Sequence, residues 1–417
     1  MQNCIYVSMI RDQIEAQRFI KNLSGKTKFV ISKNSQVIGL SRQTYQKRLD
    51  DLREKKLITN FTININPDIY PYNLKYVLLE IKTNPKEPQL VDKLLNIPQL
   101  RMLDGIFGDY SLIALFIFKS PEEYYQILKT IDNIMAKSYF KKYHIIETIK
   151  VFKTNGISLG NLDISFNFAD KVNLDQIAQN NINVKYNPER FPGLVIKSDN
   201  PRATILIFST GEAVVTDLSD ATEKDELISK IIELIRKTGL KVDEKKVNLN
   251  LHIDEIDYLI LKILQEDQGL KPISTYEIKN LLKEKYSENL KILHKDDISQ
   301  STIHNRIKKL ERQGVILNYS INFLPKELGF KGKYLLRIKP KDPSKYNKLA
   351  LNLEMNKKIT DLFRIGEEYG LLAIVRVKNV EDYGSFIRDL YLTEEIEDTF
   401  TNFILDELKI YTNFIIF

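Results

Sequence analysis

The stretch Ser41–Pro67, SRQTYQKRLDDLREKKLITNFTININP, has a counterpart later in the chain at Ser299–Pro325, SQSTIHNRIKKLERQGVILNYSINFLP. The two align without a gap at an offset of 258 residues, and nine of their 27 positions are identical. A second pair, Asp109–Tyr124 and Glu368–Tyr383, aligns at an offset of 259 residues with six of 16 positions identical. Two matches in the same order at nearly the same offset indicate an internal duplication. The chain therefore consists of a unit, an insert and a second unit.

Each copy begins with the pattern of an amphipathic helix. Apolar residues at i, i+4 and i+7 form one stripe, made of Tyr45, Leu49 and Leu52 in the first copy and of Ile303, Ile307 and Leu310 in the second. Ser41 and Ser299 directly precede these helices, where a serine hydroxyl can cap a helix N-terminus. The remaining face near each helix start carries polar side chains: Arg42, Gln43, Gln46, Lys47, Gln300, Ser301, His304 and Asn305. Such side chains suit contacts with base edges and predict two DNA recognition helices, with a solvated helix face as the alternative.

A strand pattern follows each of these helices. LREKKLITNFTININ and LERQGVILNYSINF each pass from helix to an alternating strand pair, which predicts the wing of a winged helix-turn-helix. Beyond it the order strand, helix, strand, strand, helix, strand occurs twice. The predicted elements are 75–82, 87–96, 99–107, 111–119, 121–136 and 141–153, then 333–339, 344–354, 359–366, 371–378, 380–390 and 398–411. This order predicts a ferredoxin-like α+β sandwich in each unit.

A winged helix followed by such a sandwich resembles the Lrp/AsnC (feast-famine) family of transcription regulators. The second copy carries most of the resemblance, with the opening helix DEIDYLILKIL at 254–264 and then STIHNRIKKLERQGVI. In that family the sandwich dimerises and can bind an amino-acid effector near a glycine-containing turn. The resemblance therefore implies effector contacts at Gly108 and Asp109 and at Gly366 and Glu367. In this chain Asn280–Asp297 lengthens a normally tight turn, and the opening helix of the first copy matches poorly.

The insert has a different pattern. A strand (Asp163–Phe168), a helix (Leu174–Asn180), strands at Thr204–Phe208 and Glu212–Thr216, and a helix (Lys224–Lys237) are predicted. The motifs YNPERFPGLV (186–195) and NPRATILIFSTGEAVVTD (200–217), followed by this helix, resemble one of the two repeats of the TATA-binding-protein saddle. The resemblance implies DNA-kinking wedges at Phe191 and Phe208 and phosphate contacts at Arg190 and Arg202. It also implies a docking site for the B-type initiation factor at Asn187, Pro188 and Glu189.

Acidic residues in the insert leave its partner open. Glu212 stands where the family has a basic residue, and Asp217 stands where it has glycine. Residues 161–242 carry ten Lys or Arg against twelve Asp or Glu, and carboxylates facing phosphates are repulsive. The insert could therefore bind promoter DNA or dock general transcription factors. Because a single repeat lacks half of the saddle, a homodimer is expected to supply the second half.

Composition and missing motifs exclude several protein classes. The 417 residues, 43% hydrophobic and 28% charged, predict several globular domains. A single cysteine, Cys4, excludes an internal disulfide framework and indicates a reducing cytosol, and the net charge of +7 mildly favours a polyanionic partner. The longest apolar run, Leu112–Phe118, is too short for a membrane helix, and Arg11 and Asp12 interrupt the only apolar stretch near the start, so we expect no membrane association and no signal peptide. No P-loop, nucleophile elbow, HExxH or paired-cysteine motif occurs, so we expect neither enzymatic activity nor a metal or other cofactor.

The sequence thus predicts an α+β protein of archaeal type, with two winged helix-turn-helix plus ferredoxin-like units flanking a half-saddle domain. The expected domains are 1–70, 71–155, 161–242, 252–326 and 327–417. The expected function is a cytoplasmic transcription regulator that binds double-stranded DNA through both winged helices. Its insert would engage promoter DNA or general factors, either the B-type initiation factor or the TATA-binding protein. The alternative is a protein-interaction adaptor or decoy for the B-type factor, with secondary DNA binding.

Overall fold

The structure of the chain, a computed structural model, is described for residues 2–416 with several gaps. The residues outside the description are 68, 71–73, 85, 160–163, 170, 181–183, 190, 200–201, 217–223, 244–250, 267, 270, 295–297 and 394. Among the residues that are described, no helix is both long enough and apolar enough to cross a bilayer.

The first unit begins with three helices, and a sandwich that contains two further helices follows them. Its helices are α1 (Gln2–Leu23), α2 (Ile31–Val37), α3 (Arg42–Glu54), α4 (Pro88–Leu95) and α5 (Pro121–Met135). Its strands are β1 (Ile58–Ile65), β2 (Ile69–Tyr70), β3 (Lys75–Ile81), β4 (Leu100–Ile106), β5 (Leu112–Phe118), β6 (Tyr143–Thr154) and β7 (Ile157–Ser158). Helix α5 begins where the Ser120 hydroxyl accepts a hydrogen bond from the Glu123 amide, at 3.3 Å, and Pro121 occupies the first turn. The six predicted sandwich elements are all present.

The insert forms one antiparallel sheet with two helices. Its strands are β8 (Ile164–Asn167), β9 (Val184–Asn187), β10 (Phe191–Asp199), β11 (Arg202–Phe208) and β12 (Glu212–Thr216), and its helices are α6 (Leu174–Asn180) and α7 (Lys224–Lys237). The strands lie in the order β8-β12-β11-β10-β9. Both helices and strand β12 have the predicted bounds, and β8 and β11 differ from the predicted bounds by one or two residues.

The second unit repeats the first with an extra helix. Its helices are α8 (Glu255–Glu266), α9 (Thr275–Lys285), α10 (Ser287–Ile292), α11 (Gln300–Arg312), α12 (Tyr346–Glu354) and α13 (Val380–Tyr391). Its strands are β13 (Leu251–His252), β14 (Ile316–Phe323), β15 (Gly332–Pro340), β16 (Ile359–Ile365), β17 (Leu371–Val377) and β18 (Ile396–Glu407). The predicted lengthening between the second and third helices is occupied by the end of α9 and by α10.

The two sandwiches close into a single barrel. One sheet has the strand order β16-β17-β15-β18-β4-β5-β3-β6-β7, and β16 also pairs with β6. Eight strands therefore form a closed ring, four from each unit, and closure leaves none of them as a free edge. The interior is an apolar cluster from both units that includes Tyr76, Leu78, Phe363 and Leu372. The sandwiches thus pair with each other within one chain, as the sandwiches of two subunits do in the family that the sequence resembles.

The strand after each recognition helix corrects one sequence prediction. Each copy was expected to form a wing hairpin, but it has one strand, β1 or β14, and these two strands pair with each other in antiparallel fashion. Thr62 lies opposite Ser320, and these residues are equivalent at the offset of 258, so the axis relating the two units passes between them. The alternation fits both a hairpin and this exchanged pair because only long-range contacts distinguish them.

The exchange also mixes the cores of the helical regions. Ile63 of β1 packs into the core formed by the second unit's helices, and Ile321 and Phe323 of β14 pack into that of the first. The backbone completes the exchange, because the Tyr319 amide donates to the Gly25 carbonyl at 2.8 Å and the Phe61 amide donates to the Gly269 carbonyl at 3.2 Å. Neither helical region can therefore move far without disturbing the other unit's strand.

Candidate nucleic-acid interface

Helices α3 and α11 begin in the same way. The Ser41 hydroxyl accepts a hydrogen bond from the Thr44 amide at 3.1 Å, and the Ser299 hydroxyl accepts one from the Thr302 amide at 3.1 Å. Both serines have extended backbone angles, as N-cap residues do. The predicted apolar stripes are buried, with Tyr45 and Ile303 each 0% exposed. Each stripe fixes which face of its helix stays open to solvent.

The open face carries most of the predicted base-reading side chains. In α11 the four side chains of Gln300, Ser301, His304 and Asn305 are all exposed. In α3 the side chains of Arg42, Gln43 and Lys47 are exposed. Gln46 differs, because it is half-buried and donates to the Asp50 carboxylate at 2.9 Å. Two polar, N-capped helix starts thus remain available for contact with another molecule.

Ion pairs hold each recognition helix against the opening helix of its unit. In α11 the Arg306 guanidinium donates to Asp254 at 2.8 Å and to the fully buried Asp257 at 2.7 Å. Partial burial opposes its charge, but these carboxylates raise the pKa of Arg306 above its ordinary value. In α3 the equivalent residue, Arg48, pairs with Glu15 of α1. Both arginines are identical in the two copies, which was a signal in the sequence for this shared role.

Two asparagine pairs fix the alignment of the units about their axis. The Asn64 amide donates to the Asn318 side chain at 2.7 Å, and the Asn322 amide donates to the Asn60 side chain at 2.9 Å. Asn60 and Asn318 are equivalent at the offset of 258, as are Asn64 and Asn322, so the two hydrogen bonds are symmetry mates. A one-residue slip of β1 against β14 would break both. The recognition helices therefore keep a defined two-fold relationship.

Helix α7 covers one face of the insert sheet, and the side chains on the opposite, open face are half-buried. Ile231 and Ile235 of α7 pack in the same core as Leu194, Ile205, Ala213 and Val215, which line one face of the sheet. The alternate residues on the opposite face are half-buried: Val195, Leu206, Phe208, Glu212 and Val214. Phe208 lies opposite Gly193 in the β10–β11 register. The predicted wedge Phe208 and the acidic departure Glu212 thus share this face.

A tight turn joins Phe208 to Glu212. Gly211 has φ +76°, and a Cβ atom there would come within 2.0 Å of the Ala169 carbonyl oxygen. Only glycine fits this backbone. Asn187, Pro188 and Glu189 are exposed at the end of β9. Arg190 and Asp217 lie outside the described residues, and for Phe191 and Arg202 only the strand positions are described.

The turn of the second copy that was predicted to contact an effector bridges the two units. The Gly366 amide donates to the Glu147 carbonyl at 3.1 Å. The Glu367 carboxylate lies 2.6 Å from His144 Nε2 and 3.6 Å from Arg337 Nε. The Gly366 backbone hydrogen bond and the His144 contact therefore hold this turn against the first unit, and the ion pair with Arg337 holds it within the second.

The equivalent turn of the first copy is more open. Gly108 and Asp109 are exposed, and next to them the Phe107 amide contacts the Phe403 carbonyl of β18 at 3.4 Å. No group of three or more His, Cys, Asp or Glu side chains in the described part of the chain is arranged to hold a metal ion.

Two regions of the chain match models of known protein families. Residues 157–238 match the family model for transcription factor TFIID (or TATA-binding protein), and residues 334–414 match that for the Lrp/AsnC ligand binding domain. The chain is 31% identical over 161 residues to the HTH-type transcriptional regulator FL11 of Pyrococcus abyssi, covering 39% of this chain and 95% of that protein. It is 29% identical over 136 residues to the TATA-box-binding protein of Thermococcus kodakarensis, covering 32% of this chain and 71% of that protein. Among solved structures, the siroheme decarboxylase NirDL aligns with 92% of this chain and 87% of its own at 10% identity and a TM-score of 0.44.

Proposed function

Because the chain belongs to the Lrp/AsnC family of HTH-type transcription regulators and carries a region similar to the TATA-binding protein, we propose that it binds promoter DNA as an internal dimer. In this proposal one chain supplies both recognition helices, α3 and α11. Helix-turn-helix dimers place two such helices in successive major grooves of a two-fold site. The duplicated units replace the two subunits of such a dimer.

The observation that carries the proposal is the symmetric pairing of β1 with β14. Thr62 and Ser320 face each other on the axis, and the asparagine pairs on either side fix the alignment. The same axis relates helices α3 and α11, and each helix exposes polar residues at its capped end. Since the exposed residues differ between the two helices, the site should consist of two unequal half-sites.

The test is selection of binding sites from random duplex DNA, followed by footprinting. The wild-type chain should protect two half-sites about one helical turn apart. Gln43→Ala should weaken binding about 5- to 150-fold and relax one half-site, and Gln300→Ala should do the same at the other, since a base contact is worth about 1–3 kcal/mol.

Gln126→Ala is the matched control because Gln126 is an exposed glutamine on α5 of the barrel, away from both recognition helices. Its footprint and affinity should equal those of the wild type. Unchanged affinity and footprint in the Gln43→Ala, Gln300→Ala double variant would overturn the assignment.

For the insert we propose protein docking rather than DNA binding. Glu212 lies on the open sheet face beside Phe208, and its carboxylate would repel phosphates. The exposed turn Asn187–Glu189 is the surface offered to the B-type initiation factor. The adaptor or decoy function remains the second candidate for the whole chain, with DNA binding by α3 and α11 secondary to it.

We also retain the effector proposal, which the match of residues 334–414 to a ligand-binding family supports. An amino acid would contact the turns at Gly108–Asp109 and Gly366–Glu367. Its carboxylate would compete with Glu367 for His144 and Arg337. Calorimetric titration of the chain with the common amino acids tests this, and His144→Ala should change the affinity of any amino acid that binds.

A further inference from the structure

A cleft of about 850 Å³ lies between the helical regions of the two units. Phe29, Ile31 and Leu49 line it from the first unit, and Pro272, Ile273 and Leu281 line it from the second. Its lining residues belong to 28–53 and 269–284 and thus neither to the insert nor to the effector turns. Volumes of this size and walls of this apolar character are typical of sites for small organic ligands.

One charged side chain in this cleft has an unused hydrogen-bonding edge. Arg53, in the last turn of α3, donates from Nη1 to the Asp50 carboxylate at 3.2 Å. Its Nε and Nη2 atoms are shielded from solvent and have no hydrogen-bond partner within the described parts of the chain. Buried guanidinium donors normally have partners. The Arg53 side chain is 14% exposed, and a shift of the guanidinium would bring its Nε–Nη2 edge to the cleft, where it matches the two oxygens of a carboxylate.

The other charges around the cleft leave this position favourable for an anion. Lys28 and Lys271 add two cationic groups to Arg53. The Lys28 ammonium donates to the Ile273 carbonyl of the opposite unit, and burial lowers the pKa of Lys28. Of the two lining carboxylates, Glu277 is engaged by the amide and hydroxyl of Ser274, and Glu284 is exposed. The lining thus has three cationic groups and two carboxylates, and Asp50, outside the lining, pairs with Arg53 Nη1.

We propose that this cleft binds a small organic acid with an apolar body and one carboxylate, the carboxylate resting on Arg53 and Lys28. The apolar body lies between the walls of the two units and joins them. Gln46 of the recognition helix lines the same cleft, so an occupied cleft constrains α3 relative to the second unit. The ligand therefore changes affinity for a two-half-site DNA, because that affinity depends on how the two helices are spaced.

The experiment is calorimetric titration of the full chain with two acids, decanoate and indole-3-propionate. Each acid is paired with the alcohol of the same skeleton, decanol or indole-3-propanol. We expect at least one acid to bind at one molecule per chain. Its alcohol should bind at least about 10-fold more weakly, a difference of about 1.4 kcal/mol in binding free energy. Arg53→Gln should remove this preference for the acid, whereas Arg18→Gln, a neutralised exposed arginine on α1, should keep it. The proposal fails if neither acid binds or if Arg53→Gln binds the acid as tightly as the wild type.

Leu281→Trp provides a second test that does not touch the charges. The indole occupies part of the cleft at its second wall and should weaken binding of both acid and alcohol. The chain has no tryptophan, so the fluorescence of this residue also reports whether the variant folds and whether the acid reaches the cleft. Undiminished binding of the acid by Leu281→Trp would contradict the location. DNA affinity of the ligand-free chain is measured separately, so failure here leaves the DNA-binding proposal standing.

Discussion

The Glu80 carboxylate accepts a hydrogen bond from the Arg337 guanidinium at 2.8 Å inside the barrel, although the two residues occupy equivalent positions of the duplicated sandwich. Glu80 lies opposite Ile113 in the strand register and Arg337 lies opposite Leu372, and Ile113 and Leu372 correspond at the offset of 259. In a dimer of identical chains this position would bring two like charges into one symmetric site. The duplication allows opposite charges there, which favours pairing of the two units within one chain.

The buried pair predicts a strong non-additive effect on stability. Arg337→Met alone should lower the free energy of unfolding by about 3–5 kcal/mol, because it leaves Glu80 buried without its partner. The double variant Glu80→Leu, Arg337→Met should recover at least half of that loss, since two apolar side chains of similar volume replace the ion pair. Urea denaturation followed by circular dichroism measures both values. Equal losses in the single and double variants would show that the pair is not coupled.

Lys153 gives the barrel a pH dependence of known sign. Lys153 is 1% exposed, and its ammonium donates to the Glu354 carbonyl at 2.6 Å and the Asn356 carbonyl at 2.9 Å. Burial lowers the pKa of Lys153 to about 8, below the value near 10.4 of an unfolded chain. The folded state therefore bears a desolvation cost that is full below pH 8 and is relieved as the pH rises towards 10.4.

The corresponding measurement compares the wild type with Lys153→Met across this range. The stability of the wild type minus that of the variant should increase by about 2 kcal/mol between pH 8 and pH 10.4. Tyrosine titration occurs in both proteins and cancels in the difference. A difference that stays flat or falls with pH would show that Lys153 keeps an ordinary pKa.

Local pattern predicted the elements well because each signal lay in neighbouring residues. The six-element order of each sandwich, the N-caps Ser41 and Ser299, and the α7 helix all depend on residues close in sequence. The exchanged pair β1–β14 could not be predicted in the same way, since its partners are 258 residues apart and a hairpin has the same alternation. Asn60 and Asn64 are identical in the two copies because they bond to the asparagines of the other copy. Only the structure shows this, since it places Asn318 and Asn322 opposite them.

The candidate site was predictable to a similar extent. Exposure of seven of the eight polar residues on the recognition helices followed from the buried stripe, because a helix has one face inside and one outside. Gln46 departs from the expectation because the other unit's helical region forms a cleft beside it. The free edge of Arg53 was likewise beyond sequence analysis, since its surroundings come from both units.

Gly211 offers a way to separate the insert from the rest of the chain. Gly211→Ala should disrupt the insert sheet, because the new Cβ would overlap the Ala169 carbonyl and the φ of +76° is unfavourable for alanine. Among the described residues, the core of this sheet is separate from the cores of the barrel and of both recognition helices, so their stability should be unchanged. Hydrogen exchange with peptide-level resolution should show lost protection in 191–216 and retained protection in β3 and β15. Lost protection in the barrel strands would mean that the insert and the barrel fold as one unit.

The role of the insert itself is decided by reversing its charges. If Glu212 keeps DNA off the open sheet face, wild-type protein should leave DNA unbent as measured by end-to-end energy transfer, and Glu212→Lys should add bending that Phe208→Ala then removes. If the exposed turn docks the B-type initiation factor, Glu189→Arg should weaken capture of that purified factor, while Glu233→Arg, on the exposed side of α7, should not. Both results together would support docking with DNA excluded. Bending by the wild type that Phe208→Ala abolishes would instead assign the face to DNA, and a symmetric dimer through the insert would then be needed to supply the second half of a saddle.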